Sequence, residues 1–378
     1  MGSTSVVPPP KYRQVYEALL REIVSGRVLP GGRLPSEADL VQQFGASRIT
    51  VARALNELQL AGLIERRAGS GSFVAHKSGT TARALSFGVL IPDFGDVEIF
   101  SAVARGLMDP AGGSPHGLVW GAVAETTEGQ EIEARQLCAQ YVARQVDGVF
   151  FAPLEHAPAR LAVNRSVAET LADAGIPLVL LDRSIEPYPA RGHHDLIALD
   201  NRRAGALVTA HLLAQGCRRP VFVGLPGAAS SVDARAAGFR DAVLHAGLDP
   251  TATQVWRDDP ADSGRVAGLL KASSPDGFVC ASDRTAAILM RTLLQQQVRI
   301  PEDMRMVGID DVSYAGLLPV PLTTLRQPCR EIGAAAVAAL RERVARPDLS
   351  PRDIMLHGTL VVRESCGASR KQAQASAK

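Results

Sequence analysis

Apolar residues in the first 76 positions recur at helical spacing, which predicts three short helices and then a hairpin. The first helix is marked by apolar residues on one face: Tyr16, Leu19, Leu20 and Ile23. Ser36 and Ser47 are typical N-caps for the second and third helices. Two short β-patterns joined by the glycine-rich turn AGSG follow. This order of elements predicts a winged helix-turn-helix at residues 11–76.

From residue 86 onward, short apolar runs typical of buried strands alternate with helical stretches. The predicted strands are 87–91, 118–123, 148–152, 177–181, 220–224, 277–281 and 306–309. Such alternation indicates βαβ units, a parallel sheet covered by helices on both faces. Because about 280 residues are too many for one such sheet, we expect two α/β lobes. The polar stretch 77–85 is interpreted as a linker, and 367–378 as a disordered tail.

Composition and charge narrow the class of protein. Hydrophobic residues make up 46% of the chain, an ordinary globular value, yet no apolar run approaches the ~20 residues of a membrane span. The first residues lack the features of a secretory signal, so we expect a cytoplasmic protein. Five widely spaced cysteines indicate buried thiols in a reducing compartment. Ten Lys and Arg against six Asp and Glu between Lys11 and Lys77 leave +4 there and −2 elsewhere, which favours a polyanion partner for the first part.

Motifs for catalysis are missing from the sequence. Nothing matches a phosphate loop, a nucleophile elbow or a metal-ligand spacing, so we expect neither a cofactor nor a metal, and no enzyme. His193 and His194 stand beside Asp195, but adjacent histidines seldom face one ion. We interpret these three residues as a loop between the lobes.

The third helix is the expected recognition helix, because a helix-turn-helix places its second helix in the major groove. Arg48 and Thr50 in its first turn, and Arg53 one turn later, are candidates for base or phosphate contacts. The tip Gly69-Ser70-Gly71 is slim enough for a wing that approaches DNA. The alternative is that the arginines are solvated surface charges and the hairpin is only structural.

The segment 34–74 resembles the winged helix of the GntR family almost from end to end. The matching motifs are LPSE at 34–37, FGASR at 44–48, GLI at 62–64 and GSGSFV at 69–74. The resemblance implies DNA contacts by Ser36, Arg48, Thr50, Gly69 and Gly71. Two arginines usual in the family are replaced by Ala38 and Ala52. Either Arg53 compensates or the operator differs from the common half-site.

The segment 86–364 resembles the LacI-type effector domain, which is similar to periplasmic sugar-binding proteins. The motifs occur in the family's order: FGVLIPDF, VDGVFFAP, IPLVLLDRS, LDNRRAGALVTAHLLAQGCRRPVFVG, ARAAGFRDAV, GFVCASD, IPEDMRMVGIDD and LTTLRQP. Neither the all-helical nor the transaminase-like domain of other GntR regulators fits this pattern. The resemblance implies an effector domain at 86–366. Lobe 1 is expected at about 86–185 and 327–345, and lobe 2 at about 186–326 and 346–366.

The resemblance also implies an effector site between the lobes, at the carboxyl ends of strands. Arg235 would clamp adjacent hydroxyls, Asp310 would accept from hydroxyls, and Phe100 would pack against a sugar ring. The remaining implied residues are Asp182, Arg183, Gln327 and Ser282, the last standing where many relatives have Asn. The alternative for Asp182 and Arg183 is a structural hinge ion pair. For Asp283 we favour a helix N-cap.

These observations predict a DNA-binding transcription repressor controlled by a sugar. The segment GDVEIFSAVARG at 95–106 resembles the arabinose-repressor type, which joins the same two modules and favours a pentose. We expect a homodimer on a palindromic double-stranded operator, with no membrane partner. The alternatives are a purine or another non-sugar ligand, an activator, an enzyme with a DNA-binding appendage, and a constitutive DNA-binding protein with a degenerate sensor.

Overall fold

The computed structural model describes residues 11–24, 27–28, 31–60, 63–67, 71–74, 84–91, 98–109, 116–121, 127–155, 158–249 and 254–368. The chain divides into two compact units, Met1–Arg83 and Ala84–Lys378. Of the predicted linker only residues 84 and 85 are described, and Leu85 already opens a strand. Of the predicted tail, 369–378 lie outside the described residues. No helix in the described ranges is long and apolar enough to cross a membrane.

The first unit begins with three helices, α1 (Lys11–Val24), α2 (Glu37–Phe44) and α3 (Arg48–Leu60). Helix α2 starts at a capping box, in which Ser36 and Asp39 exchange side-chain and backbone hydrogen bonds. It ends at Gly45, whose left-handed φ of 55° suits a residue without a Cβ. The three helices bury one small core that includes Val15, Leu19, Leu40, Val51, Leu55 and Leu58.

The wing consists of two antiparallel strands, β1 (Ile64–Arg67) and β2 (Gly71–Val74). An isolated bridge between Arg33 and Phe73 adds a third backbone segment beside β2. Arg66 ties the wing to the helices, because its guanidinium donates to Asn56 Oδ1 at 2.7 Å and also to the carboxylate of Glu37. The predicted glycine at 69 lies outside the described residues.

Lobe 1 of the second unit is built on a six-stranded parallel sheet. Its strands are β3 (Leu85–Leu90), β4 (His116–Trp120), β5 (Gly148–Phe151), β6 (Leu178–Leu181), β7 (Asp195–Leu199) and β13 (Asp353–Leu356), in the order β13-β7-β6-β5-β3-β4. Its helices are α4 (Glu98–Leu107) and α11 (Cys329–Ala345) on one face, with α5 (Thr127–Ala143) and α6 (Pro158–Asp173) on the other. Each face therefore buries its own apolar cluster.

Lobe 2 repeats this plan with a second six-stranded sheet. Its strands are β8 (Pro220–Gly224), β9 (Gln254–Arg257), β10 (Gly277–Cys280), β11 (Arg305–Asp310), β12 (Thr323–Arg326) and β14 (Thr359–Val361), in the order β14-β12-β11-β10-β8-β9. Only β14 runs antiparallel. Its helices are α7 (Asn201–Ala214), α8 (Ser230–His245), α9 (Ser263–Ser273) and α10 (Asp283–Gln295). The predicted class, a winged helix followed by a two-lobed α/β domain, is confirmed.

The predicted lobe boundaries at 186 and 346 are wrong, because β7 and β13 pair with each other in the sheet of lobe 1. The buried carboxylate of Asp195 holds both strands there. It accepts from Arg343 Nη2 at 2.9 Å and from the backbone N–H of Arg352 at 2.7 Å. Residues 186–199 and 346–356 therefore belong to lobe 1. The chain crosses between the lobes after β7, after β12 and after β13.

Candidate functional site

The three crossings lie beside the carboxyl ends of the parallel strands, where open α/β sheets bind ligands. Polar side chains follow several of these strands. They are Asp182 and Arg183 after β6, Asn201 after β7, Ser282 after β10, Asp310 at the end of β11 and Gln327 after β12. We call these residues, together with Arg235 of α8, the cleft cluster.

Arg235 is the centre of this cluster, and only 4% of the residue is exposed. Its Nε donates to Asn201 Oδ1 at 2.8 Å, and its Nη1 donates to the carbonyl oxygen of Ala281 at 2.5 Å. Nη1 also lies 3.6 Å from Asp310 Oδ1. Because three contacts hold the guanidinium, its donors are oriented before any ligand arrives. The sequence analysis did not identify Asn201. The signal that could have found it is its place as a polar residue just after β7, a strand that was not predicted.

The position of Arg235 depends on close packing between α7 and α8. A Cβ on Gly205 would lie 2.1 Å from the carbonyl oxygen of Arg235, and one on Gly238 would lie 1.8 Å from that of Arg202. Both distances are far below van der Waals contact. A side chain at either glycine would therefore push the helices apart and displace the guanidinium.

Asp310 faces Arg235 and is joined to the lobe crossing by Gln327, whose Nε2 donates to Asp310 Oδ1 at 2.7 Å. The backbone φ angle of Asp310 is 135°, and that of the next residue, Asp311, is 56°. Positive φ angles are rare for residues with a side chain, and they persist where the surrounding structure imposes them. The end of β11 is thus a strained turn that directs this carboxylate toward Arg235.

Asp283 is a second buried acid at this end of the sheet. The predicted N-cap role for it is wrong, because the cap of α10 is Ser282, whose Oγ accepts from the backbone N–H of Thr285 at 3.2 Å. Asp283 instead accepts from Thr324 Oγ1 at 2.6 Å and from the N–H of Val312 at 3.1 Å. The Ser282 hydroxyl that we expected to contact the effector therefore already serves as a helix cap.

Burial raises the pKa of both acids. The pKa of Asp283 rises to about 7, because desolvation and the negative charge of Asp310 outweigh its hydrogen bonds. The pKa of Asp310 rises to about 6, since desolvation outweighs the attraction of Arg235 and the hydrogen bond from Gln327. The two acids consequently retain protons at a pH where an exposed carboxyl has lost its own.

This pair is expected to make the protein less stable as the pH rises from about 4 to about 7. Over that range the folded state binds more protons than the unfolded state, so the free energy of unfolding falls, by on the order of 1.4 kcal/mol per pH unit per group at most. Urea unfolding of the wild type and of Asp283→Asn at pH 5 to 8 measures the effect. The variant should show the smaller decrease.

Subtracting the pH dependence of Asp283→Asn from that of the wild type also cancels the contribution of the histidines to stability. Burial lowers the pKa of His194 and of His211, so these groups act with the opposite sign in both proteins. Slopes are compared rather than absolute stabilities, since Asp283→Asn also changes two hydrogen bonds. Equal slopes in the two proteins would contradict a raised pKa for Asp283.

Asp182 and Arg183 form an ion pair at the end of β6, with Arg183 Nε 2.9 Å from Asp182 Oδ2. Arg183 Nη1 also lies 3.4 Å from Glu155. The ring of Phe100 is 1% exposed in the core of lobe 1, and the Arg183 guanidinium carbon lies 5.8 Å from its centroid. Neighbouring core residues therefore cover the Phe100 ring, and its contact with an effector stays a prediction.

The two lobes also touch directly at a contact that sequence reasoning missed. The carboxylate of Glu98, in the first turn of α4, accepts from the backbone N–H and from Oγ of Ser313, each at 3.0 Å. Glu98 belongs to lobe 1 and Ser313 follows β11 of lobe 2. This contact joins the two lobes directly.

Glu98→Ala is expected to open the cleft and to weaken effector binding by about tenfold. Hydrogen bonds to a charged group contribute ~1.5–3 kcal/mol, and about 1.4 kcal/mol corresponds to a factor of ten. Small-angle scattering of the unliganded chain should show a larger radius of gyration. Glu169→Ala, on the exposed face of α6, is the control and should change neither quantity. Equal effector affinity in wild type and Glu98→Ala would refute the role.

The predicted DNA-contacting residues differ in how free they are to bind. Arg48 is exposed at the start of α3 and has no hydrogen-bond or ion-pair partner among the described residues. Arg53 lies 3.4 Å from Glu57 and 4.2 Å above the Tyr12 ring. The Thr50 hydroxyl lies 2.8 Å from Ser47 Oγ. Arg48 is therefore the most available cation of the predicted recognition turn, while Arg53 must exchange internal partners to reach DNA.

Three further residues complete this surface. Ile49, which sequence reasoning missed, is 83% exposed in the first turn of α3, where an apolar side chain can contact a thymine methyl. Ser36 is engaged in its capping box, so its hydroxyl has an internal partner. Gly71 has φ 110°, and a Cβ there would lie 3.2 Å from Arg33 Nε. A side chain at Gly71 would therefore strain the wing.

Comparison with known proteins agrees with both units. Residues 11–74 match the model of the bacterial regulatory proteins of the gntR family, and residues 209–366 match that of the periplasmic binding protein-like domain. The arabinose metabolism transcriptional repressor of Geobacillus stearothermophilus is 27% identical over 94% of this chain and 97% of its own. The ribose operon repressor of Escherichia coli K12 is 28% identical over 63% of this chain and 71% of its own.

Solved structures share the fold. The transcriptional regulator CelR in its cellobiose complex has a TM-score of 0.63 at 22% identity, and covers 95% of this chain and 100% of that one. A LacI family regulator from Enterococcus faecium with bound ribose has a TM-score of 0.59 at 24% identity, and covers 74% of this chain and 98% of that one.

A winged helix-turn-helix joined to two α/β lobes with a polar cluster between them defines a DNA-binding regulator of the ligand-sensing class. More narrowly, the first unit matches the gntR-family model, and the greater part of the second unit matches the periplasmic binding protein-like domain. The architecture predicted from its motifs is thus confirmed.

Proposed function

We propose that this chain is a cytoplasmic transcriptional repressor that binds operator DNA through α3 and the wing, and that a sugar in the cleft controls it. One observation carries the proposal. Buried Arg235, held by Asn201 and facing Asp310, presents oriented donors and acceptors between two lobes. Hydroxyl-rich ligands require such converging polar groups. The similarity over nearly the whole chain to an arabinose metabolism repressor supports this function and makes a pentose our first candidate.

The proposed mechanism couples the cleft to the DNA through a homodimer on a palindromic operator. A sugar that binds both lobes favours their closed arrangement by its difference in affinity for the two arrangements. Because half-sites lie ~34 Å apart or at multiples of that distance, a few ångströms of displacement between the two winged helices would weaken DNA binding. On this proposal the second unit acts by binding alone, without turnover.

A melting-temperature screen against pentoses, hexoses and sugar acids tests the function, followed by DNA-release assays on each hit. We expect at least one neutral sugar to raise the melting temperature and to release operator DNA. If no sugar does either, the sugar function fails. A sugar that binds but strengthens DNA binding would support the sugar-sensing function. It would contradict release of the operator by sugar and indicate a corepressor or activator mechanism.

A further inference from the structure

A pocket of about 410 Å³ lies next to the cleft cluster on the side of the β6–β7 connection. The connection supplies Tyr188 and Arg191, and the starts of α7 and α8 supply Asn201 and Ser231. We call this space the side pocket. Asp182, Arg183 and Asn201 of the cleft cluster also line it, whereas Asp310 and Gln327 do not. The side pocket therefore adjoins the cleft cluster, and its volume falls within the ~300–1,000 Å³ typical of ligand pockets.

One residue of the side pocket, Ser231, has a hydroxyl that makes no hydrogen bond with the described residues and is open to the pocket. The residue as a whole is 7% exposed. It stands in the first turn of α8, whose N-cap, Ala229, provides no side-chain cap. The Ser231 hydroxyl and the uncapped first amides of α8 are thus available to hydrogen-bond a ligand in the side pocket.

The charges around the side pocket are balanced, which disfavours an anionic ligand. Three arginines and three aspartates line it: Arg183, Arg191, Arg202, Asp182, Asp200 and Asp353. Two of the arginines are paired within the lining, since Arg191 lies 2.7 Å from Asp353 and Arg183 lies 2.9 Å from Asp182. Arg202 pairs with a carboxylate outside the lining, at 2.6 Å. Such pairs offer hydroxyl groups both donors and acceptors, without a net charge that would attract phosphate.

The same pocket has apolar surface at its opening. The Tyr188 side chain is 92% exposed, an uncommon state for a large ring, and Met355 is 40% exposed. A ring face beside a few polar groups is suited to a sugar ring, which has an apolar C–H face and a polar edge. Tyr188 is therefore placed to stack on a second ring next to the cleft.

We propose that the side pocket is a second saccharide subsite, so that the effector is a neutral disaccharide or glycoside whose first ring occupies the cleft cluster. The second ring would stack on Tyr188 and donate to or accept from Ser231. This inference rests on the proposed sugar function. Beyond that function, the inference specifies that the ligand has two rings and that Tyr188 and Ser231 contact the second ring.

Calorimetric titration of the full chain with matched pairs of sugars tests the subsite: arabinose with 1,5-arabinobiose, xylose with xylobiose, and glucose with cellobiose. For at least one pair, we expect the disaccharide to bind about tenfold or more tightly than its monosaccharide. Tyr188→Ala should reduce that advantage to less than twofold and leave monosaccharide affinity unchanged. Tyr188→Phe keeps the ring and should keep the advantage, and Ser231→Ala should lose about threefold for the disaccharide alone.

Two outcomes would overturn the inference while leaving the sugar function intact. In one, a monosaccharide binds the wild type as tightly as its disaccharide in every pair. In the other, Tyr188→Ala weakens both members of a pair equally. If no saccharide of either set binds, the proposed function fails and the subsite fails with it. Because Tyr188 is exposed on a connection, its replacement is expected to leave folding intact, which circular dichroism checks.

Discussion

Arg235→Ala is expected to abolish effector binding and to leave operator binding intact, producing a repressor that the effector no longer releases. The Arg235 side chain is buried and makes directed contacts with Asn201, Ala281 and Asp310. A hydrogen bond to a charged group is worth ~1.5–3 kcal/mol, so losing two such bonds to a ligand corresponds to a more than hundredfold loss of affinity. Calorimetric titration with the best sugar measures it.

A loss of effector binding in Arg235→Ala must be distinguished from a loss of folding. Removing one member of a buried charge pair costs ~3–5 kcal/mol of stability, because the partner charge remains buried. Arg235→Lys keeps the charge but loses the planar fork, and should fold while binding at least tenfold more weakly. Arg240→Ala removes an exposed arginine from the same helix and should match the wild type. Effector affinity equal in Arg235→Lys and wild type would contradict the clamp.

Arg48→Ala is expected to reduce operator affinity by a factor of about ten to one hundred and to leave sugar binding unchanged. The loss of one base-reading arginine costs ~1–3 kcal/mol. The effect should be at the upper end here, because Ala38 and Ala52 stand where the resemblance to the GntR family implies arginines, and because Arg53 is engaged with Glu57 and Tyr12. Gel-shift or fluorescence-anisotropy titration on operator DNA measures it.

The salt dependence distinguishes two roles for Arg48. If it reads a base, the variant also relaxes sequence preference; if it holds a phosphate, affinity falls uniformly and the salt slope drops by about 1. Arg13→Ala removes an arginine of α1 that pairs with Glu17, and serves as the control. Unchanged operator affinity in Arg48→Ala would refute the assignment of the recognition turn.

Much of the fold could be predicted because its signals are local. The spacing of Leu19, Leu20 and Ile23 and the caps at Ser36 and Ser47 depend only on neighbouring residues. The three helices lie where these signals placed them. Strands such as β5 and β10 were predicted because they are apolar throughout. By contrast, β13 and β14 are short and half-exposed, so their sequences resemble loops. This is also why the predicted lobe boundary at 346 failed.

Sequence by itself determined the two modules, their order and the types of residue available to DNA and to a ligand, since motifs and periodicity are properties of short segments. Only the tertiary structure decided which side chains meet. It placed Asn201 against Arg235, covered Phe100 and brought Glu98 of one lobe to Ser313 of the other. Each outcome depends on residues far apart in the chain, and burial and contact geometry at such distances leave no local signal.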